Sequence, residues 1–104
     1  MLLRPPLLKP LPLSSFFEAQ VFNLPSGQCA FVFSEPEVLY QDRLGCIYTG
    51  ASVAIYCTVE SQSVGNSTVW DEIYYPTDWG KTGYIPDYYV YTGTNNAVMA
   101  SCVT

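Results

Sequence analysis

From residue 29 onward, apolar positions fall into short runs separated by turn residues, the spacing of strands rather than helices. Ala30-Phe31-Val32-Phe33 is the first run, stopped by Ser34-Glu35-Pro36. A loop to Gly45 follows, and Cys46-Ile47-Tyr48 leads into the turn signal Thr49-Gly50. Residues 52–59 alternate with period two, which predicts Val53, Ile55, Cys57 and Val59 on one face. Residues 61–66 are polar and read as a turn. Residues 69–75 read as a strand broken at Pro76, 80–83 as a turn, and 83–86 as a short strand. Asp87-Tyr88-Tyr89 reads as one turn of 3₁₀ helix, and residues 90–92 and 98–102 close the chain. Five or six short strands at this spacing predict an all-β fold, a small barrel or sandwich.

Residues 1–28 differ in kind. Pro5, Pro6, Pro10 and Pro12 remove backbone donors and clash with the preceding turn, so this stretch is expected to be extended and partly polyproline II. The same prolines interrupt the apolar run that an export signal needs, and no run reaches the length of a membrane span. The expected organisation is a Pro-rich extended arm over 1–28 and a barrel over 29–104. The arm has no P-x-x-P spacing, and its leucines suit docking on a neighbouring subunit.

Composition narrows the partners. The chain has 49% hydrophobic and 12% charged residues, with nine Tyr, five Phe and two Trp, a globular and β-favouring mixture. Its net charge is −5, and beyond residue 9 the cations are Arg43 and Lys81. Nucleic-acid binding rests on neutralising phosphates with basic side chains, so this balance argues against it and against an anionic membrane surface. Cys29, Cys46, Cys57 and Cys102 read as two disulfides formed in an oxidising compartment, with three pairings open. Gaps of 17, 11 and 45 residues, with no His and no C-x-x-C, do not suit zinc. Asn66-Ser67-Thr68 is an N-glycosylation sequon, a triplet that chance also supplies.

Residues 70–90 are more specific. They contain Trp70-Asp71-Glu72-Ile73, then Gly80-Lys81-Thr82-Gly83-Tyr84-Ile85, then Asp87-Tyr88-Tyr89-Val90. This resembles the bacterial SH3-like (SH3b) pattern of a Trp strand, a G-x-x-G-[YW]-[VI] strand and a closing S/D-x-Y-[VL]. Gly50-Ala51-Ser52-Val53 is similar to that family's G-x-x-V turn, and residues 30–36 to its opening strand and Ser-x-Pro loop. The chain is similar to secreted actinobacterial members, and that resemblance implies a Cys57–Cys102 disulfide, leaving Cys29 to pair with Cys46. The implied fold is a small SH3-like barrel, disulfide-braced, with Trp70, Ile73, Tyr84 and Tyr89 as structural core. Gly83 is expected to permit a turn before Tyr84. The family's usual L-N-V-R opening is replaced by Ala30-Phe31-Val32-Phe33, and Cys29, Cys46 and the Pro-rich arm have no counterpart in it.

The chemistry of the side chains points to binding. Without His, Ser-His and Cys-His nucleophiles are excluded. Gly80-Lys81-Thr82 would end a phosphate-binding loop only with glycine at position 75, which is Tyr75. Asp71-Glu72 and Glu35/Glu37 could pair as acids, but adjacent acids on a strand face opposite ways and surface acids are usually solvated. No catalytic residue, cofactor or metal is therefore expected. Aromatic side chains are too many for a small core, and Tyr75, Trp79, Asp87 and Tyr88 are the expected ligand contacts. The expected function is a non-catalytic extracellular or cell-surface binding module, and the resemblance implies cell-wall peptide or glycan as partner. The alternative is a structural protein of a virion surface, its arm docked on neighbouring protein subunits.

Overall fold

The alternation of apolar side chains builds a single antiparallel sheet in the computed structural model, which describes residues 16–74, 82–93 and 97–102. Its strands are β1 (Phe17–Val21), β2 (Cys29–Phe33), β3 (Arg43–Tyr48), β4 (Ser52–Val64), β5 (Ser67–Tyr74), β6 (Thr82–Pro86) and β7 (Val90–Tyr91). Spatial order is β3-β2-β6-β5-β4-β1-β7, and the sheet curls into a half-barrel. Single 3₁₀ turns occupy Tyr40–Asp42 and Asp87–Tyr89. Among the described residues no helix is long and apolar enough to cross a membrane.

The concave face holds the core. Ala19 and Val21, Val53 and Ile55, Ala30 and Val32 each lie two residues apart on one strand, and join Ile47, Ile73, Ile85 and Val90 in one buried cluster. Fully burying a Val or Ile contributes roughly 1.5–3 kcal/mol, so this cluster is the main favourable term. Trp70 is also buried, but it neighbours Ile73 at odd spacing and therefore lies across the sheet. There its ring meets Phe33 edge-on at 5.9 Å, and its Nε1–H donates to the Gln62 carbonyl at 2.8 Å. Phe31 extends this outer cluster to Arg43, whose guanidinium lies over Phe31 and Tyr40.

The structure corrects several sequence expectations. There are seven strands, not five or six, because Phe17–Val21 is a strand. Those residues fall in the stretch expected to be an arm, yet β1 pairs with β4 from Phe17↔Ile55 to Gln20↔Ser52, and with β7 through Val21↔Val90. Residues 1–15 of the expected arm lie outside the described residues. The polar stretch 61–66 is not all turn: β4 runs on to Val64, and only Gly65 and Asn66 separate it from Ser67, its partner on β5. A register shift between Ile55 and Cys57 also breaks the expected alternation, and Thr58 is the buried side chain beyond it. Residues 98–102 form no strand; the described part makes one bridge, Thr58↔Ser101.

Tyr84 is half-buried rather than core, because Gly83 and Ile85 take the inward positions of β6. Its hydroxyl is pushed above the usual tyrosine range by burial, then by Glu72 and Glu35. Gly83 is not a turn residue either. It sits within β6 opposite Ile73, and a Cβ there would lie 2.6 Å from Val32 Cγ1. Close packing of β6 against β2 demands the glycine.

Both disulfides form. Cys29–Cys46 links β2 to β3 with Cα atoms 5.5 Å apart, and Cys57–Cys102 links β4 to the C-terminal segment at 4.8 Å. The two differ in what they add. β2 and β3 already share a ladder from Cys29↔Tyr48 to Phe33↔Arg43. The C-terminal segment has fewer ties: Thr58 N–H donates to the Ala100 carbonyl, Cys102 N–H to the Thr58 carbonyl, and Thr58 Oγ1 to the Met99 carbonyl.

Candidate functional site

The end of β1, the β4–β5 turn, the second 3₁₀ turn and β7 converge on a groove of about 500 Å³. Pro86 enters the 3₁₀ turn with φ −61°, so the turn that carries Asp87 and Tyr88 starts on a residue whose ring restricts φ to this value. Phe22 N–H donates to the Tyr89 carbonyl at 2.8 Å, and Asn23 Nδ2 donates to the Tyr88 carbonyl at 3.0 Å. Asn23 has φ 67°, a left-handed conformation that asparagine tolerates better than most residues. These two bonds fix one wall to the other.

Aromatic rings shape the opening. Phe22 meets Tyr91 edge-on at 5.4 Å, and Tyr88 meets Tyr89 at 5.2 Å. Tyr91 is 58% exposed and also borders a second depression of about 440 Å³ beside Glu18 and Gln20 of β1. One exposed ring thus stands between two hollows, an arrangement suited to an extended ligand. Asn66 and Ser67 add amide and hydroxyl groups to the first hollow. Among the described residues Asp87 is the one charged residue lining that groove.

Behind Asp87 lies a second acid. Asp71, on β5, is fully buried, and Asp87 is 6% exposed. Both Asp71 oxygens and Oδ1 of Asp87 are buried without an N–H or O–H partner from another residue. Burial first, then a hydrogen bond and charge repulsion from Asp87, push Asp71 up to about 9. Burial also raises Asp87, while the bond with Asp71 works the other way. Desolvation opposes ionisation, and the pair cannot carry two charges in such a place at low cost.

Glu72 faces the opposite side of β5 from Asp71. It accepts from Thr82 Oγ1 at 3.0 Å, and its Oε1 lies 3.1 Å from Cys57 Sγ. Glu72 and the sulfurs of Cys57 and Cys102 lie within 4.8 Å of one another, but the disulfide leaves no thiolate to serve as a metal ligand.

Of the four ligand contacts expected from sequence, the groove brings together Asp87 and Tyr88, whereas Tyr75 and Trp79 lie outside the described residues. Trp70 and Ile73 are buried, and Tyr89 packs partly buried against the core. The sequence reading missed Phe22, Asn23 and Tyr91, which β1 and β7 bring to the rim. It also missed Asp71, although the alternation Val69-Asp71-Ile73 sets that acid on an inward-facing row.

No family model matches the chain, and no solved structure matches it significantly. The uncharacterized protein YraJ of Bacillus subtilis (strain 168) is 36% identical over 83 residues, which cover 74% of this chain and 70% of YraJ. The chain belongs to the same family as YraJ.

Proposed function

We propose that this protein is a non-catalytic extracellular binding module of the SH3-like kind, which takes cell-wall peptide or glycan along the groove flanked by Tyr88 and Tyr91. The observation that carries this reading is the convergence of Phe22, Tyr88, Tyr91 and Asp87, drawn from separate elements, on one open groove. Tyrosine and phenylalanine offer broad contact area with few torsions to freeze, which suits sugar faces and peptide backbones alike. Asn66, Ser67 and the backbone of the rim supply polar partners that orient such a ligand. The two disulfides suit an oxidising, extracellular setting.

Cosedimentation of the purified chain with peptidoglycan, run beside a sedimentation-velocity measurement, tests the proposal. A monomer that pellets with the cell wall supports it. A chain that stays in the supernatant and forms a discrete oligomer overturns it in favour of a structural role among neighbouring subunits.

A further inference from the structure

Two acids buried side by side need a proton donor, and the described residues around them offer none. Asp71 lies between Thr58 on β4 and Ile85 on β6. The Thr58 hydroxyl is committed to the Met99 carbonyl, and Ile85 is apolar. Glu60 on β4 turns outward to accept from Thr68 Oγ1, and Glu72 on β5 turns outward to Thr82. On β6 Tyr84 lies on the outer side, and on the 3₁₀ turn the Tyr88 and Tyr89 rings meet edge-on. Glu18 on β1 is exposed. Arg43, the Lys or Arg present among the described residues, is held over Phe31 and Tyr40.

We infer that Asp71 and Asp87 share a single proton, carried by Asp71 and donated to Asp87, and that this bond clasps the Asp87–Tyr89 turn onto β5. Asp71 is then a positioning residue for the groove: it acts on Tyr88 through Asp87. Burial assigns the proton: Asp71 is fully enclosed, whereas Asp87 lines the open groove and keeps the charge at lower cost. Deprotonation would set two negative charges together in a buried site, and the turn would loosen from β5. The effect on a ligand rests on the proposed binding role; the clasp itself does not.

The sign of the pH dependence follows. Asp71 moves from 3.8 in the unfolded chain to about 9 in the folded one, so across that window the folded state holds a proton the unfolded state has lost. Stability is fully present below the lower value and falls as pH rises toward the upper one. One such proton changes the folding equilibrium constant by about tenfold per pH unit. Few other groups enter this window: the chain has no His, its four Cys are in disulfides, and Asp87, which burial also raises, titrates together with Asp71 as a pair.

Urea unfolding of the intact, oxidised chain, without ligand, from about pH 5 to pH 10 tests the clasp. The wild type should lose stability steadily up to about pH 9 and then level off. Asp71→Asn, whose amide donates without ionising, should stay folded and give a nearly flat profile. Carboxyl ¹³C shifts should show a side-chain Asp titrating near the upper end of the window, with the Tyr88 ring signals following it. A flat wild-type profile, or an Asp71→Asn profile as steep as the wild type, would overturn the proposal. Should Asp71→Asn fail to fold, the wild-type profile and the carboxyl shifts decide alone. No ligand enters these measurements, so failure to bind cell wall leaves their outcome intact.

Discussion

Gly65 packs so closely on the ring of Tyr88 that a Cβ at that position would fall inside the ring's contact distance. The glycine occupies the β4–β5 turn with φ 65°, and the tyrosine belongs to the 3₁₀ turn on the groove wall. Two demands therefore meet at one residue, a left-handed backbone and room for a neighbouring ring. Gly50 makes the natural comparison, since it has φ 92° but nothing within 4 Å of its would-be Cβ. Gly50→Ala is expected to cost about 1–2 kcal/mol from backbone strain alone. Gly65→Ala should cost a further 1–3 kcal/mol, roughly, from overpacking. Urea midpoints measure both, and equal losses would show that the Tyr88 contact carries no weight.

Trp70 makes two separable contributions. Trp70→Phe keeps an aromatic ring against Phe33 but leaves the Gln62 carbonyl without its donor, at about 1–3 kcal/mol. Trp70→Ala also removes the buried ring, for a total of about 3–5 kcal/mol. The difference between the two variants isolates the packing of the outer cluster. A Trp70→Phe loss as large as that of Trp70→Ala would mean that the hydrogen bond, not the ring, holds the β4–β5 hairpin in place.

Much of this fold is visible in the chain itself, and the failures share a cause. The 3₁₀ turn at Asp87 and the hairpin strands follow from local alternation and turn residues, and the burial of Trp70 and Ile73 from their apolar bulk in a small core. β1 does not, because Phe17, Ala19 and Val21 alternate beside a Pro-rich run that draws attention to itself. Tyr84 misleads in the opposite sense: a large aromatic next to a glycine looks like core, yet on β6 the small residue is the one facing in. Asp71 is the most instructive case. Its row is apolar, but a charged-residue label hides the possibility of a neutral acid, and Asp87 is brought to it only by tertiary contact. Half of the groove is illegible for the same reason, since Phe22 and Tyr91 are 69 positions apart and meet through β1–β7 pairing.

The two disulfides are expected to differ in what their loss releases. Closing loops of 17 and 45 residues predicts about 3 and about 4 kcal/mol in the chain-entropy model. Replacing Cys29 and Cys46 by Ser should lower stability while leaving the β2–β3 ladder protected in hydrogen exchange. Replacing Cys57 and Cys102 should also strip protection from the Cys102 amide, whose acceptor is the Thr58 carbonyl. Unchanged exchange at Cys102 would show that the bonds to Thr58 hold the C-terminal segment without the bridge.

Glu72 offers a test of how the exposed side of that bridge is guarded. A carboxylate 3.1 Å from Cys57 Sγ repels an incoming thiolate and disfavours the thiolate that would leave. Glu72→Gln removes the charge and keeps the shape, so reduction by an anionic thiol should speed up by roughly three- to tenfold at low salt. The gain should shrink as ionic strength rises, since the pair is only partly buried. A rate that does not change at low salt would mean that access, rather than charge, limits attack.

Tyr91 separates binding from folding. Its ring is mostly in solvent and touches Phe22 edge-on, so Tyr91→Ala should cost less than about 1 kcal/mol of stability. The same ring stands between the two hollows, where a ligand spanning both would bury it. An aromatic anchor buried on binding is worth about 2 kcal/mol or more, which is about thirtyfold in affinity. Cosedimentation with peptidoglycan across a protein concentration series measures that loss, with urea unfolding as the control. Wild-type affinity in a stable Tyr91→Ala protein would remove a ligand spanning the two hollows from consideration, because Tyr91 is the aromatic side chain that lines both.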